Sequence, residues 1–222
     1  MPLLLARTLP FETASLTWGS PRGESERATF VERYGCTAWT SEALDAIAAH
    51  SPIVEMGAGR GQWARALTEE RGADVLAFDN FSALPGGRHP ALDTTTVARV
   101  RRGDERALGS WRVRFARPRR TLLVVYPQGD LLRRCVERYD GDVLLFVGEG
   151  RGGVNGGDDR VFDILEREWA VERVVRVRPF RGGHERLWVL RRRRKDARGK
   201  GEDGEAVRGD DAQENENAQR SS

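Results

Sequence analysis

The stretch Glu55-Met56-Gly57-Ala58-Gly59-Arg60-Gly61 decides the fold class of this chain. It follows the short apolar run Ile53-Val54 and precedes residues 62–71, whose apolar residues recur at helical spacing. A glycine turn between a buried strand and a helix lets the backbone approach a ligand and points helix N–H groups at it. In an open parallel sheet such turns lie at the carboxyl ends of the strands, where ligands bind. The stretch therefore predicts an α/β fold with a ligand site at this turn.

The rest of the central chain alternates strand and helix patterns in the same way. Apolar runs predict further strands at 75–78, 97–100, 121–126 and 143–147, and amphipathic spacing predicts helices at 41–49, 130–139 and 159–169. Ser41 is the expected N-cap of the first of these helices, and Gly72 is expected to end the helix at 62–71. Continuous apolar strands separated by helices are typical of a doubly wound, mostly parallel sheet with helices on both faces. Residues 171–177 and 186–191 are two strands whose connection is too short for a crossover helix, so they form a terminal antiparallel hairpin.

Length and composition predict one domain with tails. The chain has 222 residues, and its apolar runs are too short to span a membrane. Residues 1–26 are rich in proline and glycine, which predicts an irregular N-terminal segment. Residues 193–222 are highly charged and nearly free of large aliphatic side chains, which predicts a disordered tail. The single domain predicted between them covers residues 27–192.

Cysteine and histidine usage indicates an intracellular protein without a metal centre. Cys36 and Cys135 are too few for a disulfide framework and are expected to be reduced thiols. The histidines lack the spacing of metal ligands, so we expect no metal; they are His50, His89 and His184. The expected compartment is the cytoplasm, with nuclear import as an alternative because residues 191–195, from Arg191 to Lys195, are all basic.

Two carboxylates stand where a nucleoside ligand would need them. Asp79 ends the second predicted strand, where a carboxylate can accept hydrogen bonds from both ribose hydroxyls. Asp104 follows the third, where a polar acceptor can bind an exocyclic amine such as that of adenine. The dinucleotide fingerprint G-x-G-x-x-G/A requires Gly or Ala where this chain has Gln62, so the pattern is instead acidic-x-G-x-G-x-G.

At this point the chain resembles the Rossmann-like class I S-adenosylmethionine-dependent methyltransferases, over residues 41–191. The resemblance rests on the stretch from Glu55 to Gly61, on Asp79, on Gly103-Asp104 and on the terminal hairpin. It implies a seven-stranded sheet of order 3-2-1-4-5-7-6 with S-adenosylmethionine as the cofactor. The resemblance also implies a set of cofactor-binding residues: Glu55, which orients the loop or reaches the cofactor's amino group through water; Gly57, Gly59 and Gly61 beside the methionine portion; Asp79 at the ribose; and Asp104 at the adenine.

A narrower resemblance connects the chain to an uncharacterised methyltransferase-like group of fungi, protists and algae. It is carried by Gly61-Gln62-Trp63-Ala64, Phe78-Asp79, Arg102-Gly103-Asp104, Tyr126-Pro127 and residues 147–153. In that group the fourth strand tends to end in an aromatic residue followed by two prolines, whereas here Gln128 follows the first proline. This resemblance implies a fold but no substrate.

The methyl acceptor is expected beside the end of the fourth strand. Tyr126 could stack on a planar acceptor, and the carbonyls of Tyr126 and Pro127 could accept from an amine; otherwise Tyr126 only covers the core. The glycine-rich loop 149–158 is a candidate lid that contains Glu149 and Arg151. His184 in the last hairpin is a further candidate, with a solvent-exposed turn histidine as the alternative, and His89 is equally open.

Arginine clusters leave a nucleic-acid partner open. All basic residues except Lys195 and Lys200 are arginine, which biased genome composition also explains. Basic residues that alternate with Trp111 and Phe115 form a pattern typical of single-strand binding; they are Arg112, Arg114, Arg117, Arg119 and Arg120. The predicted function is methyl transfer to a small molecule, protein or nucleic acid. The alternatives are a non-catalytic cofactor-binding or scaffold protein and a nicotinamide-dependent oxidoreductase.

Overall fold

A computed structural model describes residues 21–82, 99–116, 118–153 and 158–193. The helices are α1 Pro21–Tyr34, α2 Ser41–Ala48, α3 Gln62–Arg71, a 3₁₀ helix Glu105–Gly109, α4 Trp111–Arg114, α5 Leu131–Arg138 and α6 Asp159–Glu168. The strands are β1 Thr37–Ala38, β2 Ile53–Met56, β3 Val75–Asp79, β4 Val100–Arg102, β5 Thr121–Val125, β6 Val143–Gly148, β7 Trp169–Arg176, β8 Arg178–Pro179 and β9 Arg186–Arg192.

Seven of these strands form one sheet of order β4-β3-β2-β5-β6-β9-β7. The first five run parallel to one another, and β9 is antiparallel to both of its neighbours. Counted along the chain within this sheet, the order is 3-2-1-4-5-7-6, so the predicted topology is confirmed. A second, two-stranded sheet pairs β1 with β8, and sequence analysis did not predict it.

The central strands are buried on both faces because neighbouring side chains point into two different cores. Leu122 and Phe146 pack with α5 and α6 on one face, whereas Leu123 and Leu145 pack with α2 and α3 on the other. The predicted cover of helices on both faces of the sheet is therefore confirmed. Within the described ranges, no helix combines the length and the apolar character needed to cross a bilayer.

The helix ends follow local chemistry, with one correction. Gly72 ends α3 in the left-handed conformation at φ 64°, as its position in the sequence predicted. The N-cap of α2 is Thr40, whose hydroxyl accepts from the N–H of Ala43 at 3.1 Å, and Ser41 is the first helical residue. The prediction had started this helix with Ser41 as its cap, one residue too late.

The N-terminal region is more regular than the sequence suggested. Helix α1 begins at Pro21, so the prediction of irregular structure is wrong for residues 21–26. The helix is held by Gln62, whose amide donates to the carbonyls of Val31 at 3.1 Å and Glu32 at 3.2 Å. Residues 1–20 and 194–222, including the predicted tail from 194 onward, lie outside the described residues.

Candidate functional site

A cavity of about 330 Å³ opens at the carboxyl ends of β2, β3 and β5. This volume lies within the usual range for small-molecule sites, and the position is where ligands bind in open parallel sheets. The cavity brings together six of the predicted site residues: Glu55, Gly57, Gly59, Asp79, Asp104 and Tyr126.

The glycine loop forms one wall because its first glycine has no side chain. Gly57 adopts φ 73°, and a Cβ atom there would lie 2.6 Å from the Cδ2 of Leu131. Any larger residue would therefore have to displace the side chain of Leu131 and would also be strained by the positive φ. Gly61 is the N-cap of α3, and its N–H donates to the carbonyl of Ala58 at 2.9 Å. Gly61 is not among the described residues of the cavity wall. Its position is that of the residue that connects the loop to the helix.

Asp79 holds the loop in place from the end of the neighbouring strand. Its Oδ2 accepts from the N–H of Gly59 at 2.7 Å, and its Oδ1 accepts from the N–H of Phe81 at 2.6 Å. A carboxylate has about four lone-pair directions, so acceptor capacity is left for ligand hydroxyls. The predicted ribose-binding position is thus also the residue that organises the loop, a structural role that sequence analysis missed.

Asp104 occupies the next strand end. It is the N-cap of the 3₁₀ helix and its Oδ1 accepts from the N–H of Arg106 at 3.0 Å. The N–H of Gly103 donates to the carbonyl of Asp79 at 2.9 Å, which ties the ends of β3 and β4 together. Two carboxylates therefore stand at adjacent strand ends of one cavity wall, at fixed positions.

Glu55 is a buried acid in the wall of the cavity. Only 1% of the residue is exposed, and its Oε2 has no hydrogen-bond partner among the described residues. Burial, and secondarily the charge of Asp79, raise the pKa of Glu55 to about 8, although the N–H of Ala64 acts in the opposite direction. The carboxyl group can therefore take up or release a proton near neutral pH, and a cationic ligand group beside it would favour the charged form.

These acceptors suit an adenosyl sulfonium. Asp79 and Asp104 can accept from hydroxyl and amine donors, and the orphaned Oε2 of Glu55 can accept from an ammonium group. If S-adenosylmethionine binds here, it supplies an electrophilic methyl group on a positively charged sulfur. Asp79 and Asp104 offer negative charge to that ligand, and Arg60 and Arg134 line the cavity as well.

Tyr126 follows β5 and also reaches the cavity. This residue lines the cavity with φ 50°, and its N–H donates to the carbonyl of Val147 at 2.7 Å. Burial is the main cause of the raised pKa of its phenol, which therefore stays neutral at physiological pH. Pro127 is buried and lies outside the cavity wall as far as the structure describes it, so Tyr126 rather than Pro127 faces the cavity.

The three predicted loop residues take other positions. The guanidinium of Arg151 pairs with Asp163 at 2.8 Å and Glu166 at 3.1 Å, which directs this side chain to α6. Glu149 is buried, and its Oε1 accepts from the N–H of His184 at 3.1 Å. Of the wall residues that the structure describes, none is Glu149, Arg151 or His184.

His184 is partly buried, in contrast to the solvent-exposed alternative. Its Nε2 is enclosed and has no hydrogen-bond partner in the described part of the chain. The neighbouring Glu185 is 2% exposed, and burial is the main cause that raises its pKa to about 7. His89 and residues 154–157 of the candidate lid lie outside the described residues.

The N-terminal region closes the cavity with residues that sequence analysis missed. Val31, Gly35 and Cys36 line it, and they belong to α1 and the turn after it. Burial raises the pKa of the Cys36 thiol, so the thiol is neutral, in keeping with the predicted reduced cysteine. Pro21 is the sequence feature that could have indicated helix α1, because proline is favoured at the first position of a helix.

Comparisons with known proteins find only distant likenesses. No protein-family model and no curated protein matches the chain. TrmN from Thermus thermophilus is 18% identical over 68% of this chain and 47% of TrmN, with a TM-score of 0.39. A mutant of MtNAS in complex with S-adenosylmethionine is 17% identical over 82% of this chain and 70% of MtNAS, with a TM-score of 0.45.

The match to a third solved structure covers most of both chains. It is the 1,6-didemethyltoxoflavin-N1-methyltransferase of Burkholderia thailandensis, 17% identical over 86% of this chain and 93% of that one, with a TM-score of 0.41. The chain spans about half the length of TrmN.

Glu55 predicts a distinctive pH dependence of stability. Its pKa rises from an ordinary 4.5 to about 8 on folding, so the folded chain retains a proton there that the unfolded chain has released. The stability associated with this proton is present below pH 4.5 and is lost as pH rises through about 8. Relative to Glu55→Gln, the free energy of unfolding of the unsubstituted protein should fall with pH by up to about 1.4 kcal/mol per pH unit. Urea unfolding at several pH values across this window measures the difference.

The control for this measurement is Glu69→Gln, which removes an exposed carboxyl group of α3. Its pH profile should run parallel to that of the unsubstituted protein. A parallel profile for Glu55→Gln as well would contradict the burial-driven pKa of Glu55.

Proposed function

We propose that this chain is an S-adenosylmethionine-dependent methyltransferase. The observation that carries the proposal is the pair of carboxylates at adjacent strand ends, Asp79 and Asp104, joined by the hydrogen bond from Gly103 to the carbonyl of Asp79. In this proposal Asp79 binds the ribose hydroxyls and Asp104 the adenine amine. The loop at Gly57 and Gly59 lies beside the methionine portion.

Catalysis of methyl transfer depends mainly on how the cofactor and the acceptor are positioned. The sulfonium is already reactive, so the chain must hold it and an acceptor in line and exclude water. The cavity supports this role because Asp79 fixes the loop from one side, while Val31 of α1 and Cys36 of the following turn line the wall on the other. No catalytic triad is needed. Tyr126 is proposed as the residue that positions the acceptor, with its own carbonyl as the hydrogen-bond acceptor for an amine. The same role for the carbonyl of Pro127 gains no support, because Pro127 is buried outside the described cavity wall.

The acceptor class stays open, in the order small molecule, protein, nucleic acid. The narrower resemblance to the group of fungi, protists and algae adds no substrate and stays a prediction. A non-catalytic cofactor-binding or scaffold protein is the alternative, and it is favoured if the turn at Tyr126, Pro127 and Gln128 fits no acceptor. The oxidoreductase alternative loses support at Gln62. In the dinucleotide fingerprint a glycine or alanine at this position lets the helix pack closely against the strand. Here the position holds a larger side chain, whose amide donates to carbonyls of α1.

Replacing Asp104 tests the binding half of the proposal. Asp104→Ala should weaken the affinity for S-adenosylmethionine, measured by calorimetry, by about tenfold, since it removes one charge-assisted hydrogen bond to the base. The matched control is Asp158→Ala. Asp158 caps α6 as Asp104 caps the 3₁₀ helix, accepting from the N–H of Arg160 at 2.9 Å. Both variants lose a cap, so a general loss of stability would affect both.

The outcome separates the cofactors as well. The unsubstituted protein should bind S-adenosylmethionine and show no measurable affinity for NAD. Equal affinities for S-adenosylmethionine in Asp104→Ala and Asp158→Ala would contradict the adenine assignment. Preferential binding of NAD would replace the methyltransferase proposal with the oxidoreductase.

Transfer of a labelled methyl group tests catalysis. Incubation with radiolabelled S-adenosylmethionine and fractionated cell extract should label one fraction of small molecules, protein or nucleic acid. Tyr126→Asn should raise the KM for that acceptor by about tenfold and leave cofactor affinity unchanged, because it removes a stacking surface. Asparagine tolerates the left-handed backbone at this position, so strain does not confound the result.

Tyr126→Phe is the control, because it retains the ring and should retain low KM. If the chain binds the cofactor but labels no fraction, the scaffold alternative replaces catalysis. If Tyr126→Asn transfers methyl groups like the unsubstituted protein, Tyr126 does not position the acceptor.

A further inference from the structure

The sheet brings two arginine-rich segments, far apart in sequence, to the same edge. Residues 111–120 lead into Thr121, the first residue of β5. Because β9 runs antiparallel, its last residues lie at this edge as well, with Arg191 opposite Val143 at the start of β6. The edge is opposite the cavity, and the five-residue β5 separates the two by roughly 17 Å.

One loop joins the two segments. Arg119 donates to the carbonyl of Asp140 at 2.6 Å, and Arg192 donates to the carbonyls of Gly141 at 3.0 Å and Tyr139 at 2.6 Å. Arg114 lies 3.4 Å from the carboxylate of Asp140. These contacts hold several guanidinium groups in one place. Asp140 pairs with Arg114 and with Arg119 at 3.5 Å, and Glu168 pairs with Arg192 at 3.4 Å, so part of their charge is already balanced. Arg112 has no ion pair among the described residues, so its charge is the most available to an anionic ligand.

Two large aromatic side chains stand exposed on the same surface. Trp111 is 69% exposed and Phe115 is 66% exposed, although Val113 between them is buried and anchors α4 to the core. The guanidinium of Arg112 lies 4.9 Å from the ring centre of Trp111, and that of Arg114 lies 5.9 Å from the ring centre of Phe115. Cationic and aromatic groups are thus paired twice within one short helix.

Arg120 is distinct from this surface and has a structural role. Its Nη1 donates to the carbonyl of Ile53 at 3.1 Å, and its Nη2 pairs with Asp74 at 2.8 Å. It therefore closes the edge of the sheet between β2 and β3. Arg117 lies outside the described residues. The surface that remains, here called the arginine edge, consists of Trp111, Arg112, Arg114, Phe115, Arg119 and Arg192.

We propose that the arginine edge is a binding surface for single-stranded RNA. Exposed aromatic rings stack on unpaired bases, and guanidinium groups bind phosphates and also stack. An acidic protein segment would use the charges but not two exposed rings with cations over them. RNA is favoured because its loops and ends expose bases, and recognition by stacking requires unpaired bases. The proposal adds a second ligand site, independent of the acceptor in the cavity.

Fluorescence anisotropy with a labelled oligouridylate and the full chain tests the proposal. The chain should bind, and affinity should fall with salt by roughly 0.7 decades per decade of salt for each phosphate contacted. Trp111→Ala with Phe115→Ala should weaken binding by at least about tenfold, because the double variant lacks both rings on which bases would stack. Both rings are exposed, so this double variant should keep the melting temperature of the unsubstituted protein.

A charge-matched pair separates the arginine edge from a general attraction. Arg112→Glu with Arg114→Glu should weaken binding strongly and lower the salt slope. Arg160→Glu with Arg173→Glu makes the same change in net charge at exposed arginines of α6 and β7 and should have much less effect.

Three results would overturn the proposal. They are the absence of binding to oligouridylate, equal losses in the two charge-matched variants, and binding of duplex RNA or polyglutamate as tight as that of the single strand. None of them bears on cofactor affinity, which is measured separately, so the methyltransferase proposal stands or falls on its own tests.

Discussion

The carboxylate of Asp79 is the contact on which the site depends. By accepting from the N–H groups of Gly59 and Phe81, it fixes the glycine loop and the start of the following loop to the end of β3. The hydrogen bond from Gly103 to its carbonyl adds the end of β4. Three strand ends are therefore joined at one edge by partly buried hydrogen bonds, and those that involve an ionised group are the stronger ones. A ligand held there meets acceptors at fixed positions, which is what positioning catalysis requires.

The direction of the strands then gives the sheet two edges with different side chains. Parallel strands place every carboxyl end on the side of the cavity and every amino end on the opposite side. The antiparallel β9 reverses this for one segment, so Arg191 and Arg192 join the edge from which β5 starts. A basic run that looks like an isolated tail signal in the sequence is, in its described part, the continuation of a sheet edge. Glu55, Asp79 and Asp104 line the cavity, together with Arg60 and Arg134. Arg114, Arg119 and Arg192 lie at the opposite edge, where they pair with Asp140 and Glu168.

Sequence patterns predicted what depends on local chemistry. Apolar runs predicted the central strands, and Gly72 predicted the end of α3. The short last connection predicted the antiparallel hairpin. Patterns could not give contacts that arise from packing. The helix α1 carries a weak apolar pattern and is held by Gln62 from a distant element, so it was missed together with Cys36 in the cavity wall. Arg151 follows the carboxyl end of β6, which suggested a position near the cavity. Its guanidinium instead pairs with Asp163 and Glu166 of α6.

A crystal structure of the chain with S-adenosylhomocysteine tests the central claim most directly. The account predicts both ribose hydroxyls within about 2.6–3.2 Å of the carboxylate of Asp79. The adenine amine should face Asp104, with the glycine loop unchanged and still held through Gly59. A nucleoside bound elsewhere, or one whose ribose lies away from Asp79, would contradict it.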